Sequence, residues 1–236
     1  EAEAISKTFG DKPICRDFSL RIQRGDRVAF VGPNGVGKTT LLKILLGEIA
    51  PDAGRVTLGT NLMPVVFDQA RARLDLEATL WDNLTGDPEM RVSGKADQIM
   101  VRGQPKHVVG YLKEFLFDER QARAPISSLS GGERARLLLA KIMLSEPRIL
   151  IVDEPTRGID IGTKQQIYAF LRKLADQGHA IIVITSEMNE LIGLADRVMV
   201  MRLGEVSGTL NAGEITEDAI VRLSMGLRAE QMPMTA

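Results

Sequence analysis

The chain of 236 residues is long enough to bury a substantial core in one large domain or in two smaller lobes. It carries 30 lysine and arginine residues against 31 aspartate and glutamate residues, which gives a net charge of −1. The chain therefore lacks the overall basic excess that indicates nucleic-acid binding, although a local basic patch is compatible with this charge. Cys15 is the single cysteine, which excludes a disulfide framework and suits a reducing cytosol.

The apolar segments have the length of strands. Residues 180–184 form one of the longest, far short of the roughly 18 residues that a membrane-spanning helix needs. The sequence therefore predicts no direct membrane span, so any membrane contact would come through a partner. The chain begins Glu-Ala-Glu-Ala without a methionine or a signal-peptide pattern, as expected of a fragment or a processed chain.

The first third of the chain is rich in predicted strands. Short runs that alternate apolar and polar residues over 1–31 predict antiparallel strands, which Gly10, Pro13 and Gly25 punctuate. The pattern then changes to a helix that Gly47 closes, followed by a turn and further strands. In order, the predicted elements are a buried strand at 27–31, a helix at 40–46, a turn at 51–54, and strands at 55–58 and 65–67.

The middle of the chain, from about residue 71 to 124, is polar and loop-rich and predicts a small helical lobe inserted into the sheet domain. Strand and helix alternate from residue 148 onward, which is typical of a mainly parallel sheet. The lobe is expected to hold an amphipathic helix at 107–117 and to be followed by a helix at 133–144. The later predicted elements are strands at 148–152, 180–185 and 197–201, helices at 164–177, 187–194 and 211–224, and a loose tail from residue 228.

Residues 32–39 read Gly-Pro-Asn-Gly-Val-Gly-Lys-Thr and fit G-x-x-x-x-G-K-[ST], the loop that wraps the phosphates of a nucleoside triphosphate. The loop lies between a predicted buried strand and a predicted helix, which is the context that the motif requires. The alternative is an ordinary glycine-rich turn, but all the fixed positions and both flanks match. The sequence therefore predicts a phosphate-binding loop.

The chemistry of this loop follows from its residue types. Glycines let the main chain approach an anion closely, so that the loop N–H groups and the helix N-terminus point at the phosphates. Lys38 is expected to reach the β- and γ-phosphates, and the Thr39 hydroxyl to ligate Mg²⁺. The candidate nucleotide-binding residues of the loop are Gly32, Asn34, Gly35, Gly37, Lys38, Thr39 and Thr40.

A second candidate feature is the apolar strand that ends in Asp153 and Glu154. A divalent ion on a triphosphate needs oxygen ligands, so Asp153 is predicted to help hold Mg²⁺. Glu154 is predicted to orient and polarise the attacking water. The alternative is a strand end that meets solvent, where acidic residues are common; the presence of a phosphate loop in the same chain favours the catalytic interpretation.

A third feature is the sequence Leu-Ser-Gly-Gly-Glu at 129–133, directly before a long predicted helix. Ser130, Gly131 and Gly132 offer a hydroxyl and backbone donors at the positive end of that helix, and so predict a second anion site. The alternative is a serine N-cap with a flexible approach.

The three motifs together, in this order and spacing, resemble those of the ATP-binding cassette (ABC) ATPases over residues 1 to about 225. The resemblance implies an α/β fold of the P-loop NTPase class, with a mainly parallel sheet core, an N-terminal antiparallel β subdomain and an inserted small helical lobe. It implies one domain over 1–225, in which 1–70 and 145–225 form the core and β subdomain and 71–144 form the lobe with the signature motif, followed by a tail at 226–236.

The resemblance also suggests roles for residues outside the three motifs. Phe9 lies where the family has an aromatic residue that stacks on adenine, with a core residue as the alternative. Gln69 corresponds to a glutamine that contacts Mg²⁺ and the water and senses the partner, and its alternative is a solvated loop residue. Asp160 lies at the family's D-loop position, and its alternative is an N-cap. The expected catalytic residues are Glu154, Lys38, Gln69 and Ser186, and the expected metal ligands are Thr39, Gln69 and Asp153.

Ser186 departs from the family pattern, because most ABC ATPases have a switch histidine there. A serine is short and neutral and cannot contact the γ-phosphate as a histidine does. Losing one such donor costs roughly 2.7–4 kcal/mol of activation free energy, so slow hydrolysis and a partly clamp-like use of ATP are expected. His179 is no substitute, since it lies at the start of its strand; both it and His107 are interpreted as ordinary surface residues.

Two subfamily resemblances coexist in the chain. Residues 1–145 resemble the second cassette of an ABC-F protein, on the stretches 59–62, 67–69, 110–117 and 129–136. Residues 146–225 resemble the second cassette of a ribose- or galactose-type sugar importer, on the stretches 153–162, 185–188 and 194–198. In that importer group serine at the switch position is usual. A fusion near residues 144–147 and natural divergence both explain the combination.

These resemblances imply a Mg²⁺-dependent ATPase that works as a head-to-tail homodimer or with a second ABC cassette. The phosphate loop of one subunit and Ser130, Gly131 and Gly132 of the other would close on each ATP. The favoured function is that of an ABC-F-like soluble ATPase that acts on the ribosome or on nucleic acid. The alternatives are the energising subunit of a carbohydrate importer with a membrane permease partner, and a slow ATP-dependent clamp. The expected location is the cytoplasm, including attachment to the ribosome or inner membrane through a partner.

Overall fold

A computed structural model describes residues 1–60, 62–67, 74–86, 97–154, 161–188 and 191–227. The chain divides into two compact units. The first unit contains the described residues of 1–66, 148–154 and 171–236, and the second contains those of 67–147 and 155–170.

The first unit begins with a small antiparallel sheet. Strand β1 (Ala2–Phe9) pairs with β2 (Lys12–Leu20) on one edge and with β4 (Ala53–Val56) on the other. β4 starts at Ala53, inside the turn predicted at 51–54. Gly54 permits this early start: its φ is 78°, and a Cβ there would lie 2.4 Å from the carbonyl oxygen of Ala4.

The large sheet of the first unit provides the edge at which the candidate site lies. In the described residues its strands are β3 (Arg27–Val31), β5 (Pro64–Phe67), β8 (Ile149–Asp153), β9 (Ala180–Thr185), β10 (Arg197–Arg202) and β11 (Glu205–Asn211). Their order in the sheet is β11-β10-β3-β9-β8-β5. The four strands β10, β3, β9 and β8 are parallel to one another, and β11 is antiparallel to β10.

The core of the first unit lies between its sheets and helix α1 (Lys38–Leu45). β9 is buried along its whole length, as expected of a central parallel strand. At the opposite end of the large sheet from the candidate site, Arg27 and Asp196 form two side-chain hydrogen bonds of 3.0 and 2.6 Å, which join the start of β3 to the start of β10. The mainly parallel core and the antiparallel N-terminal sheet confirm the predicted fold class.

Two predictions for the last third of the chain need correction. The helix predicted at 211–224 is present but starts later: Asn211 is the last residue of β11, and helix α7 (Glu217–Met225) begins where the Thr216 hydroxyl accepts a hydrogen bond from Ala219 N–H. The range 187–194, predicted as a helix, ends in turns at 191–194, where Gly193 has a φ of 81°. Residues 228–236, predicted as a loose tail, lie outside the described residues.

The second unit holds short helices and one β-hairpin. Its helices are α2 (Leu80–Thr85), α3 (Val108–Glu114), α4 (Glu119–Ala122) and α5 (Gly131–Met143), and α6 (Ile161–Asp176) begins in it. The hairpin of β6 (Gln98–Val101) and β7 (Gln104–His107) was not predicted. The single helix predicted at 107–117 is shorter, because Leu116 adopts a φ of 64° beyond the end of α3. His107 caps α3, since its Nδ1 accepts a hydrogen bond from Val109 N–H at 3.2 Å.

No helix within the described ranges is long and apolar enough to cross a membrane.

Candidate active site

The predicted phosphate loop connects β3 to α1, and it needs glycine at two positions, Gly32 because of close packing and Gly37 because of its backbone conformation. A Cβ on Gly32 would lie 2.5 Å from the carbonyl oxygen of Met201, and one on Gly37 would lie 3.3 Å from Ile14 Cδ1. Gly37 is also the N-cap of α1 and has a φ of 114°, which an L side chain rarely adopts. The loop therefore has a shape that these glycines permit.

The Lys38 side chain folds back along the loop. It is 7% exposed, and its ammonium group donates to the carbonyl oxygens of Gly32 at 2.5 Å and of Pro33 at 3.2 Å. Burial lowers the pKa of Lys38 from its ordinary value of 10.5, while the negative charges of Glu154 and Asp153 act in the opposite direction.

Strand pairing explains why these residues converge. β3, β9 and β8 are parallel neighbours, with Val31 opposite Thr185 and Asp153 opposite Ile184. The carboxyl ends of parallel strands meet at one edge of a sheet, so the start of the loop, the acidic pair and Ser186 reach the same edge. This is the position at which open α/β sheets bind ligands.

Glu154 and Ser186 are in direct contact at this edge. The N–H and the hydroxyl of Ser186 both donate to Oε1 of Glu154, each at 3.0 Å. The N–H of Glu154 in turn donates to the carbonyl oxygen of Ile184 at 2.8 Å, and its φ is 47°. The sequence motifs did not predict this contact, because it depends on the pairing of β8 with β9, which are distant in the chain.

The remaining predicted site residues of the first unit are placed as follows. Asn34 and Thr39 are exposed, Thr40 is half-buried at the start of α1, and Asp153 is half-buried at the end of β8.

No group of three or more histidine, cysteine or acidic residues that could hold a metal ion occurs in the parts of the chain that the structure describes. Thr39 and Asp153 offer a hydroxyl and a carboxylate, which are oxygen donors that suit Mg²⁺ when substrate phosphates supply further ligands. Gln69 and Asp160 lie outside the described residues.

Phe9 is at the end of β1 and is 48% exposed, so it is not a core residue. The ammonium group of Lys7 lies 5.2 Å from the centre of its ring. Asp52 holds that lysine through a 2.7 Å ion pair and also accepts a hydrogen bond from the N–H of Thr8. A partly exposed aromatic ring with a fixed cation near it can stack against a planar ligand.

The second unit carries the Leu-Ser-Gly-Gly-Glu motif at the start of α5. Ser130 is the N-cap, and it forms a capping box with Glu133, whose carboxylate accepts from the Ser130 N–H at 2.8 Å and from its hydroxyl at 2.9 Å. Gln121 donates to the other carboxylate oxygen at 2.8 Å. Burial raises the pKa of Glu133, but the hydrogen bonds from Ser130 and Gln121 together outweigh burial and keep the pKa below its ordinary value of 4.5.

The two glycines of this motif have different surroundings. A Cβ on Gly132 would lie 2.1 Å from Thr163 Cγ2, so only a glycine fits where α5 packs against the start of α6. A Cβ on Gly131 would meet nothing within 4 Å. Gly132 is therefore required by packing in the second unit, whereas Gly131 leaves the helix N-terminus open to a ligand or partner.

Comparison with known families gives one match that covers most of the chain. The sequence profile of the family described as "ABC transporter" matches residues 15–157. This range includes the phosphate loop, the Leu-Ser-Gly-Gly-Glu motif and the acidic pair.

Curated relatives fall into two groups. The chain is 47% identical to ATP-binding protein Uup of Caulobacter vibrioides over 201 residues, which cover 85% of the chain and 31% of that protein. It is 42% identical to Uup of Escherichia coli, over 81% of the chain and 28% of that protein. It is 30% identical to the ribose import ATP-binding protein RbsA of Clostridium perfringens, over 94% of the chain and 47% of that protein. The chain thus spans less than half the length of these relatives.

Solved structures share the fold. An ATP-binding cassette of an ABC transporter in its ADP conformation matches with a TM-score of 0.72 and 23% identity, over 95% of this chain and 97% of that one. The dimeric structure of a bacterial ABC transporter cassette matches with a TM-score of 0.63 and 22% identity, over 89% of this chain and 97% of that one.

We expect Gly132→Ala to destabilise the chain by about 1–3 kcal/mol, because the added methyl group overlaps Thr163. Gly131→Ala is the matched control and should change the stability by no more than about 1 kcal/mol, with the better helix propensity of alanine in its favour. Urea unfolding monitored by circular dichroism measures both. Thr163→Ser should restore part of the stability of Gly132→Ala, and equal effects of the two alanine variants would contradict the packing explanation.

Proposed function

Because the chain belongs to the ABC transporter family, we propose that its site binds ATP and hydrolyses it to ADP and phosphate. The observation that carries this proposal is the convergence, at one edge of the large sheet, of the Lys38 loop with a Glu154 carboxylate that Ser186 holds. The loop supplies an anion site and the carboxylate supplies a base, which are the two parts that phosphoryl transfer to water requires.

Phosphate binding would use the backbone of residues 32–39 and the Lys38 ammonium group. An ammonium has three N–H donors, and here two of them satisfy the Gly32 and Pro33 carbonyls. The third can donate to a phosphate oxygen. The N-terminus of α1 adds its partial positive charge to the same region.

Thr39 and Asp153 would hold Mg²⁺ together with the substrate phosphates, and Gln69 is proposed as a third ligand. When bound, the ion neutralises charge on the β- and γ-phosphates. Mg²⁺ in nucleotide sites is typically bound through one or two carboxylates together with substrate phosphates and water, and Asp153 supplies such a carboxylate here.

Glu154 would orient and polarise the attacking water. Ser186 fixes its Oε1 with two hydrogen bonds, which leaves Oε2 to accept a proton from the water. Ser186 is thus proposed as a positioning residue for the base. The family's histidine at this position contacts the γ-phosphate instead. This arrangement supports hydrolysis, since the base is held even though the histidine is absent.

Ser130, Gly131 and Gly132 are proposed to complete the site of a second copy or of a second cassette, in a head-to-tail dimer. The open position at Gly131 supports a contact to this helix N-terminus from outside the chain, and Ser130 would exchange its hydrogen bonds to Glu133 for bonds to the phosphate. The dimeric cassette with the same fold provides a precedent for such an assembly. Phe9 is proposed to stack on the adenine, and Asp160 to lie at the dimer interface.

The cellular role is proposed to be that of an ABC-F-like ATPase that acts on the ribosome or nucleic acid in the cytoplasm. The higher identity to the two Uup proteins, 47% and 42% against 30% for RbsA, supports it. The similarity to Uup covers 85% of the chain in one case, and so extends beyond the first 145 residues. The energising subunit of a carbohydrate importer is the second candidate, because the RbsA alignment covers 94% of the chain.

Lys38→Ala should abolish ATP binding, since it removes the cation at the phosphate loop. Calorimetry measures the binding, and Lys43→Ala, which removes an exposed lysine of α1, is the matched control.

Glu154→Gln should retain ATP binding but lower turnover by about 10²-fold or more, and it should accumulate an ATP-bound dimer. Phosphate release measures the turnover, and size-exclusion chromatography detects the dimer. Unchanged turnover in Glu154→Gln would contradict the assignment of the base.

Ser186→Ala should lower kcat by about tenfold, with KM for ATP nearly unchanged, because one of the two donors that hold Glu154 is lost while the phosphate loop is intact. Ser145→Ala, whose hydroxyl bonds to Ile142 in α5, is the control for loss of a serine hydroxyl. Steady-state phosphate release measures both. A rise in KM without a fall in kcat would show that Ser186 acts on substrate binding instead.

The two cellular roles are separated by adding the expected partner. An ABC-F-like chain should show ATP turnover that rises when purified ribosomes are added, and it should co-sediment with them when Glu154→Gln blocks hydrolysis. Recovery of the same variant in the membrane fraction, with no response to ribosomes, would instead support the importer role.

A further inference from the structure

Lys12 contacts the phosphate loop from outside it. Its ammonium group donates to the carbonyl oxygen of Gly35 at 2.5 Å. Lys12 is the first residue of β2 and lies opposite Phe9 in the β1–β2 pairing. The end of this hairpin therefore carries both the partly exposed aromatic ring and a cation that is bound to the loop.

The strand that carries Lys12 is firmly held. Ile14 packs against the loop, since its Cδ1 lies 3.3 Å from the position that a Cβ on Gly37 would occupy. Pro13 is in close contact with the turn between β10 and β11, where a Cβ on Gly204 would lie 1.8 Å from the Pro13 carbonyl oxygen. β2 thus contacts the phosphate loop through the Ile14 side chain and the β10–β11 turn through the Pro13 backbone. These contacts hold the strand from which the Lys12 side chain projects.

The bond to Gly35 also fixes part of the loop. A carbonyl and the N–H of the next residue point in opposite directions across a trans peptide plane. The Gly35 carbonyl points to Lys12, while the Val36 N–H donates to the Pro33 carbonyl at 3.3 Å and closes a turn. An ion-to-carbonyl hydrogen bond is stronger than a neutral one, so Lys12 stabilises this orientation of the peptide.

We propose that Lys12 is a positioning residue that holds the adenine-stacking hairpin at a fixed separation from the phosphate loop. This inference rests on the proposed function, because it assigns Phe9 and the loop to one nucleotide. A nucleotide contacts both parts at once, so a fixed separation removes conformational freedom that binding would otherwise have to remove. A ligand that contacts only the loop gains much less from that separation.

The test compares two ligands, Mg-ATP and magnesium tripolyphosphate, by calorimetry on the 236-residue chain. Lys12→Met keeps the length of the side chain and loses its donors; it should weaken ATP binding by about 3–10-fold and weaken tripolyphosphate binding less. Lys12→Arg should restore most of the ATP affinity. Lys43→Met, an exposed lysine of α1, is the matched control and should leave both affinities unchanged.

A double-variant cycle with Phe9→Ala tests the coupling itself. If Lys12 positions the hairpin, Lys12→Met should cost little further ATP affinity once the Phe9 ring is gone. Thermal unfolding without ligand should be similar for all Lys12 variants, which separates positioning from folding. The inference alone would be overturned if the two substitutions reduced ATP affinity additively, if Lys12→Met weakened both ligands equally, or if it weakened neither. Failure of the unaltered chain to bind ATP would overturn the proposed function and the inference with it.

Discussion

Parallel pairing of β8, β9 and β3 is the constraint on which the candidate active site depends. These strands are nearly all buried and are neighbours in the sheet, although they lie far apart in the chain. Each contributes one part at its carboxyl end: β3 leads into the phosphate loop, β8 ends in the acidic pair, and β9 precedes Ser186. Backbone pairing in the core therefore sets the geometry of the candidate site.

Much of this arrangement could be predicted from the sequence, because its signals are local. The apolar runs at 149–153 and 180–185 identify buried strands, and the glycine pattern at 32–37 has a single structural meaning beside a strand and a helix. Because β9 is buried on both faces, its sequence is a continuous apolar run that no alternation with polar residues weakens. The elements that form the candidate site are thus the ones whose sequences were most informative.

What the sequence did not predict depends on pairing or on polar strands. The β6–β7 hairpin is short and largely exposed, and its signal was the Arg102-Gly103 pair, in which both residues adopt positive φ. β11 gives no clear strand signal, because its mixed, half-exposed pattern lacks a period. The contacts of Ser186 with Glu154 and of Lys12 with Gly35 join residues whose proximity arises only when strands pair, so no spacing within one motif indicates them.

Glu154 has a left-handed backbone, with a φ of 47°, at the position where the proposed chemistry places the base. A residue with a Cβ in this region carries a strain of roughly 1–3 kcal/mol, which glycine would relieve. Glycine would therefore be the more stable residue at position 154, whereas the proposed reaction needs a glutamate there. Evolution toward greater thermal resistance would meet a trade-off at this single position, and stabilising changes would have to accumulate elsewhere in the chain.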